Sequence, residues 1–187
     1  VSAVLLAAGE STRMGTLKAL LPWQGSTLVE YQVESLLRAG VTEVVVVVGH
    51  RAAEVQAAFS GKDGVVVAAN PDYRQGKSTS IKAGLRSVSP DARAVLILAV
   101  DQPRPTLILH SLVEAHLQGV GAMTVPTHCG RTGHPPIFSM ALLKELLAIT
   151  EEGQGLREVG HRHRDETLRV EVDCPVVLLD VNSPDDL

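Results

Sequence analysis

Cysteine is nearly absent from this 187-residue chain. Cys129 and Cys174 are the only two, too few for a disulfide framework. Basic residues are not in excess: Lys and Arg total 17 against 21 Asp and Glu, a formal net charge of -4. No overall positive field therefore draws the chain to nucleic acid. No apolar run reaches membrane-spanning length, and no basic region precedes the short apolar N-terminus as a secretory leader requires. Repeats, linkers and low-complexity stretches are missing as well. What is left is 45% hydrophobic and 20% charged, the balance of a globular protein with length enough for one sizeable core. The expectation is one soluble, cytoplasmic domain spanning 1–187, with no nucleic-acid or membrane partner.

Short apolar runs alternate with helical patterns through most of the sequence. "SAVLLAA", "EVVVVVG", "GVVVAAN", "AVLILAV", "GAMTVP" and "VVLLDV" place Val, Leu and Ile on consecutive positions, as strands buried on both faces do in parallel sheets. Between them, "STLVEYQVESLLRAG" carries apolar residues at helical spacing, with Ser26 as N-cap and Gly40 as the stop. "RAAEVQAAF", "STSIKAGLRSV", "PTLILHSLVEAHL" and "SMALLKELLAI" read as further helices, and Ser183-Pro184 as the start of a last one. This alternation predicts an α/β fold: a Rossmann-like, doubly wound three-layer α/β/α arrangement around a mostly parallel sheet. Ligands in such sheets sit at the carboxyl ends of the strands.

The first strand runs into "VLLAAGESTRMG", residues 4–15. Gly9 and Gly15 let the backbone approach a ligand closely. Backbone amides, Ser11, Arg13 and Lys18 then converge on one anion site. Two cations beside a run of amides suit a triphosphate better than a single carboxylate. Two rival phosphate motifs fail. A dinucleotide fingerprint needs a glycine between Gly9 and Gly15, and none is there. "QGKSTS" ends like a P-loop at Gly76, Lys77 and Ser78, but that motif's first glycine would fall on Pro71.

"LLAAGESTRMGTLKALLP" closely resembles the N-terminal signature of the MobA-like nucleotidyltransferases, with Lys18 at the position of the lysine before "LLP". The Ala-Ala-Gly form resembles the cytidylyltransferase branch that acts on the molybdenum cofactor; the guanylyltransferase branch usually has Gly-Gly in place of Ala8-Gly9. The resemblance extends over nearly the whole chain and implies nucleotide contacts from Leu6, Ala7, Ala8, Gly9, Ser11, Arg13, Gly15 and Lys18. "NPDYRQGKSTSIKAGL" is similar to the family's second nucleotide loop, which implies roles for Asn70, Gly76, Ser78 and Ser80, with Lys77 in place of the more usual Met. "LAVDQP" matches the family's acidic strand end and makes Asp101 the implied magnesium ligand. "GHPPIF" matches the segment beside the acceptor, implying Gly133, His134 and Pro135 there. "LLDVNSPDDL" resembles the closing motif, with Asn182 where many relatives have Asp. "EGQGLR" keeps Gly155 and Arg157 of the family's acceptor element but has Gly153 where Asp is usual and Leu156 for Ala.

The implied reaction joins an acceptor phosphate to the nucleotide α-phosphorus and releases pyrophosphate. Such chemistry asks a protein mainly to align two anions and to neutralise charge. Magnesium would share that work through Asp101, with Asn182 or Asp180 as second ligand, since residues two apart on a strand face the same side. Arg13 and Lys18 would stabilise the β,γ- and α-phosphates, giving Lys18, Arg13 and Asp101 as the catalytic set. CTP is the implied donor and molybdopterin the implied acceptor, with a molybdoenzyme as the downstream partner. GTP, a sugar or polyol phosphate acceptor, and a non-catalytic nucleotide or pterin carrier remain the alternatives. His128, Cys129 and His134 match no zinc spacing, and "GHRHR" around His161 and His163 reads as a solvated basic turn.

Overall fold

The computed structural model describes residues 1–11 and 16–181. Its main sheet has the strand order β10-β7-β9-β6-β1-β4-β5, with β8 also pairing the end of β7 off this path. The five apolar runs up to residue 128 form β1 (Ser2–Ala7), β4 (Glu43–Val48), β5 (Val65–Ala69), β6 (Ala94–Ala99) and β7 (Met123–His128). β4-β1-β6 is parallel, and β5 joins β4 in parallel. β9 (Ile137–Ser139) runs antiparallel between β6 and β7, and β10 (Thr167–Glu171) pairs β7 in parallel. A small ribbon of β2 (Pro22–Trp23) and β3 (Ser26–Thr27) and the hairpin strand β8 (Arg131–Thr132) complete the set.

Each central strand sends alternate side chains to opposite layers. Ala3, Leu5 and Ala7 of β1 join Val44, Val46, Leu96 and Leu98 in one core, whereas Val4 and Leu6 join Val45, Val47, Val95 and Ile97 in the other. The period of two is the strand's own, and burial on both faces explains the unbroken apolar runs. The first core is covered by α1 (Leu28–Arg38), α2 (Ala52–Ala57) and α4 (Thr106–Gln118), the second by α3 (Lys77–Ser87), α5 (Leu143–Ala148) and α6 (Leu156–Arg162). The layers are therefore α/β/α, as the alternation predicts. Among the described residues no helix is long and apolar enough to cross a membrane.

Three local expectations change. Thr27, not Ser26, caps α1, because Glu30 completes a reciprocal capping box with it. "VVLLDV" is not a strand: Pro175–Leu178 form a 3₁₀ turn, and the chain then runs irregularly to Val181. The real edge strand is β10, whose residues are all exposed or half-buried, so it carries little apolar signal. "GHRHR" is solvent-exposed at His161, Arg162 and Arg164 as expected, but it is the end of a helix and not a turn throughout: α6 runs through Arg162, which pairs with Glu145 and Glu158, and His163 reaches Glu145 and Glu166. The last helix, expected at Ser183-Pro184, lies outside the described residues.

Helix α3 approaches the sheet closely enough to require a glycine. A Cβ on Gly84 would stand 2.4 Å from Val4 Cγ1 and 2.9 Å from Val47 Cγ2. Alanine favours a helix interior by about 1 kcal/mol, but overpacking a core costs about 1–3 kcal/mol. The Gly84→Ala variant is expected to lose about 1–2 kcal/mol in urea denaturation, and a gain in stability would refute this packing account.

Candidate active site

Strands β6, β1, β4 and β5 run parallel as neighbours and end at the same edge, and the antiparallel β9 begins there. The loop after β1 and the turn after β6 lie side by side because these strands are hydrogen-bonded neighbours. Val100 donates its amide to the Leu6 carbonyl at 3.0 Å and extends that pairing past the strand ends. The loop entering β9 reaches the edge for the opposite reason: an antiparallel strand starts where its parallel neighbours finish. So the topology brings Gly9, Asp101 and His134 to one edge.

The first two belong to a cavity of about 360 Å³. Leu6, Ala7, Ala8, Gly9, Ser11 and Lys18 line one side, and Gly76, Lys77, Ser80 and Asp101 the other. Lys18 Nζ stands 2.9 Å from Asp101 Oδ2, with the two side chains 12% and 28% exposed. The lysine is thus placed over the acid and largely withdrawn from bulk water. Ser11, at φ 54, turns the loop back so that its Oγ accepts the Lys18 amide at 2.9 Å; its own hydroxyl hydrogen is left for another acceptor. A Cβ at Gly9 would meet nothing within 4 Å. Packing does not require glycine there, and the open space faces the cavity.

The second loop contributes unequally. Gly76 takes φ 118, a conformation that favours glycine, and a Cβ there would also run into the Glu151 side chain at 2.5 Å. The Glu151 carboxylate accepts the Ser78 amide and so occupies the N-terminal end of α3. Ser80 lines the cavity, whereas Asn70 is buried beneath it and donates to Thr79 and Ser80, each at 2.9 Å. Asn70 therefore shapes the pocket from below. Ser78 is buried and does not line the cavity. Arg13, Gly15 and Asn182 lie outside the described residues.

Asp180 approaches the site through Gln102, whose Nε2 donates to its Oδ1 at 2.8 Å, and the next amide, Val181, donates to the Asp101 carbonyl at 2.7 Å. These bonds hold the closing segment against the Asp101 turn without any strand. Arg104 completes the attachment. It has no solvent exposure, and it donates to the carbonyls of Pro103, His134, Val177 and Leu179. Burial lowers its pKa to about 10, partly offset by Asp180 and Asp101, so the guanidinium stays charged at neutral pH. Sequence reasoning missed Gln102, Arg104 and Glu151 because each has a defining partner 70 or more residues away.

Gly133 and His134 line a second cavity of about 460 Å³, and Pro135 follows His134 through a cis peptide. A Cβ at Gly133 would stand 2.4 Å from the Val177 carbonyl oxygen, so this loop is packed tightly on the closing segment. Burial, and then the charge of Lys77, hold the His134 pKa below its ordinary value of 6.5. The neutral ring is the form the folded chain favours, so the unfolded chain binds a proton more readily. His134 therefore subtracts stability as pH falls through about 6.5 toward its folded pKa, and subtracts nothing more below that. His116, lowered by burial, acts in the same direction, and His163, raised mainly by Glu145, acts in the opposite one. Comparing urea denaturation of the chain and its His134→Gln variant from about pH 7.5 to 5 isolates this contribution, and the variant is expected to show the shallower acid loss. Parallel pH profiles would show that His134 is not so perturbed.

A sheet whose carboxyl edge presents a lysine–aspartate pair to a glycine-walled cavity has the plan of a nucleotidyltransferase. The chain belongs to the family of the MobA-like NTP transferase domain, whose model matches residues 3–167. It is 28% identical over its whole length to molybdenum cofactor cytidylyltransferase of Escherichia coli (strain K12), covering 93% of that protein. It is 39% identical to nicotine blue oxidoreductase of Paenarthrobacter nicotinovorans, over 93% of this chain and 87% of that one. The solved structure of Rv0371c from Mycobacterium tuberculosis H37Rv superposes with a TM-score of 0.85 at 29% identity, over 99% and 94% of the two chains. A manganese complex of that protein gives 0.81 at 28%, with the same coverage.

Proposed function

We propose that this nucleotidyltransferase moves CMP from CTP to the phosphate of molybdopterin and releases pyrophosphate. The observation that carries the chemistry is Lys18 Nζ poised 2.9 Å from Asp101 Oδ2 inside the glycine-walled cavity. The Ala7-Ala8-Gly9 form and the full-length similarity to a molybdenum cofactor cytidylyltransferase favour CTP and molybdopterin.

The donor set suits magnesium: Asp101 offers a carboxylate oxygen at the cavity, with Asp180 or Asn182 as the second. Among the described residues no cluster of three or more His, Cys, Asp and Glu could hold a metal ion by itself, so the substrate phosphates would have to share in holding one. Magnesium is commonly held by one or two carboxylates, with waters and substrate phosphates completing its shell. When bound, it neutralises charge on the phosphate oxygens. The residues do the rest. Ser11 and the amides of the first loop, with Arg13, hold the triphosphate. Lys18 leaves Asp101 for the α-phosphate, where its charge counters the negative charge that builds in the transition state. His134, kept neutral, positions the acceptor beside the reacting phosphorus without repelling a cation there.

Nucleotide-dependent thermal stabilisation tests this reading, since a ligand bound only by the folded chain raises Tm by mass action. CTP with magnesium is expected to raise Tm well above the shift with CTP alone or with GTP, UTP or ATP. The Gly9→Ala variant should keep its own Tm and lose most of that gain. A GTP-selective shift would move the donor assignment to the guanylyl branch, and no shift with any nucleotide would sink the transferase reading. The 39% identity to a protein named as an oxidoreductase favours a second reading, redox turnover, for which a dinucleotide is one candidate cofactor. The absent middle glycine between Gly9 and Gly15 weighs against it, and a Tm shift with NADPH in place of CTP would reverse that judgement.

A further inference from the structure

Helix α3 begins with a cation at its positive end. Lys77 is its first residue, Gly76 caps it, and no acidic side chain lies in its first turn. Helices disfavour lysine there, because the unpaired amides and the macrodipole are both positive. A residue that works against its own helix marks a place where function outweighs local preference. Among the described residues, the Lys77 side chain takes part in no ion pair or hydrogen bond. The Glu151 carboxylate, which reaches the same turn, accepts the Ser78 amide instead. Other lysines are matched, Lys18 with Asp101 at 2.9 Å and Lys62 with Glu34 at 2.6 Å.

Lys77 is exposed, and it lines the nucleotide cavity beside Gly76, Ser80 and Asp101. Ser11, Lys18 and the first-loop backbone line the opposite side. Within that cavity Lys18 and Asp101 offset one another, so among the described residues Lys77 supplies the charge that is left over. The lysine stands in place of the more usual Met, a side chain of similar length that would fill the same space without charge. In-line transfer sets the attacking and leaving oxygens on opposite sides of the α-phosphorus. With the triphosphate tail held by the first loop, the attacking oxygen comes from the facing wall, and Lys77 is the cation of that wall. Two phosphates repel as they approach, more strongly as water is excluded, and a positive side chain between them lowers that barrier.

We propose that Lys77 binds the phosphate of the acceptor and holds it against the α-phosphorus, so that the site selects a phosphate nucleophile over a neutral hydroxyl. This role rests on the transferase reading above. The bond formed joins an acceptor phosphate oxygen to the α-phosphorus. The bond broken joins that phosphorus to the oxygen leading to the β-phosphate, and pyrophosphate leaves with the electron pair. Lys77 supplies charge and takes no part in the exchange of bonds.

Inorganic phosphate, standing in for the phosphate of the acceptor, tests the assignment by isothermal titration. The full chain is first saturated with magnesium and the CTP analogue in which a methylene bridges the α- and β-phosphates. The expected result is saturable phosphate binding that weakens about tenfold or more in Lys77→Met. Lys77→Arg should restore it, and Lys82→Met, on the same helix but outside the cavity, should leave it unchanged. The melting shift given by the analogue should be the same in the parent and in Lys77→Met, which also certifies that the variant is folded. Phosphate binding as tight in Lys77→Met as in the parent, or none in the parent, would overturn the proposal. Loss of the analogue shift in Lys77→Met would overturn it too, by making Lys77 a ligand of the nucleotide. An analogue shift without Lys77-dependent phosphate binding refutes the Lys77 assignment alone. Lys77-dependent phosphate binding by a chain that no nucleotide stabilises removes the transferase reading, and the acceptor role with it.

Discussion

Exchanging Asp101 for asparagine is expected to lower the rate of nucleotidyl transfer by about 10³-fold, the equivalent of several kcal/mol of transition-state charge stabilisation. The substitution keeps the size of the side chain and one oxygen, and removes only the charge. The fold should survive it, because the Asp101 side chain is 28% exposed and the closing segment is tied to the Asp101 backbone carbonyl, not to its carboxylate. Two measurements check the account. Pyrophosphate release reports the rate, and the magnesium-dependent part of the CTP melting shift should vanish in Asp101→Asn while the magnesium-independent part persists. Full retention of both rate and magnesium coupling would remove Asp101 from the metal site and restore the carrier alternative.

The second large effect belongs to Lys18. Lys18→Met should reduce kcat by about 10²–10³-fold, the usual cost of removing a preorganised charge donor from a developing oxyanion. The apparent affinity for CTP should change far less, because the first-loop amides remain. An effect confined to KM would mean that Lys18 binds ground state and transition state equally. Since Lys18 and Asp101 are in direct contact at 2.9 Å and serve the same phosphates, their losses should not add. The double variant should fall well short of the product of the two single effects, and strict additivity would show that the pair does not act as a unit.

Much of this could be read from the amino acids, and what could not has identifiable causes. β1, β4 and β6 announce themselves because strands covered by helices on both faces keep Val, Leu, Ile or Ala at nearly every position; β5 shows the same composition at an edge where most of its side chains are exposed, and β7 is buried with a more mixed run. β9 is only three residues long and β10 is an edge strand with exposed side chains, so neither leaves an apolar run. "VVLLDV" has the composition of a strand, yet only Val177 and Val181 are buried; tertiary hydrogen bonds to Gln102 and Arg104, not sheet pairing, hold that segment. The first loop and Asp101 were legible because glycine, cations and an acid at strand ends are local signals. Glu151 on the Ser78 amide, 73 residues away, is a purely tertiary contact. Arg104 stands directly after "DQP" and could have drawn notice, but no local pattern tells a buried arginine from an exposed one.

The four-carbonyl grip of Arg104 also bears on recombination among relatives of this chain. A crossover placed between α4 and β7 would unite the arginine of one relative with a loop and closing segment supplied by another. The charge would then lie in the interior short of acceptors, a cost of several kcal/mol before any substrate is met. Residue 104, the loop at 133–136 and the stretch at 177–181 therefore make one inheritable block. Exchanging acceptor preference between two such proteins requires that this block travel whole, whereas the first nucleotide loop can be exchanged separately.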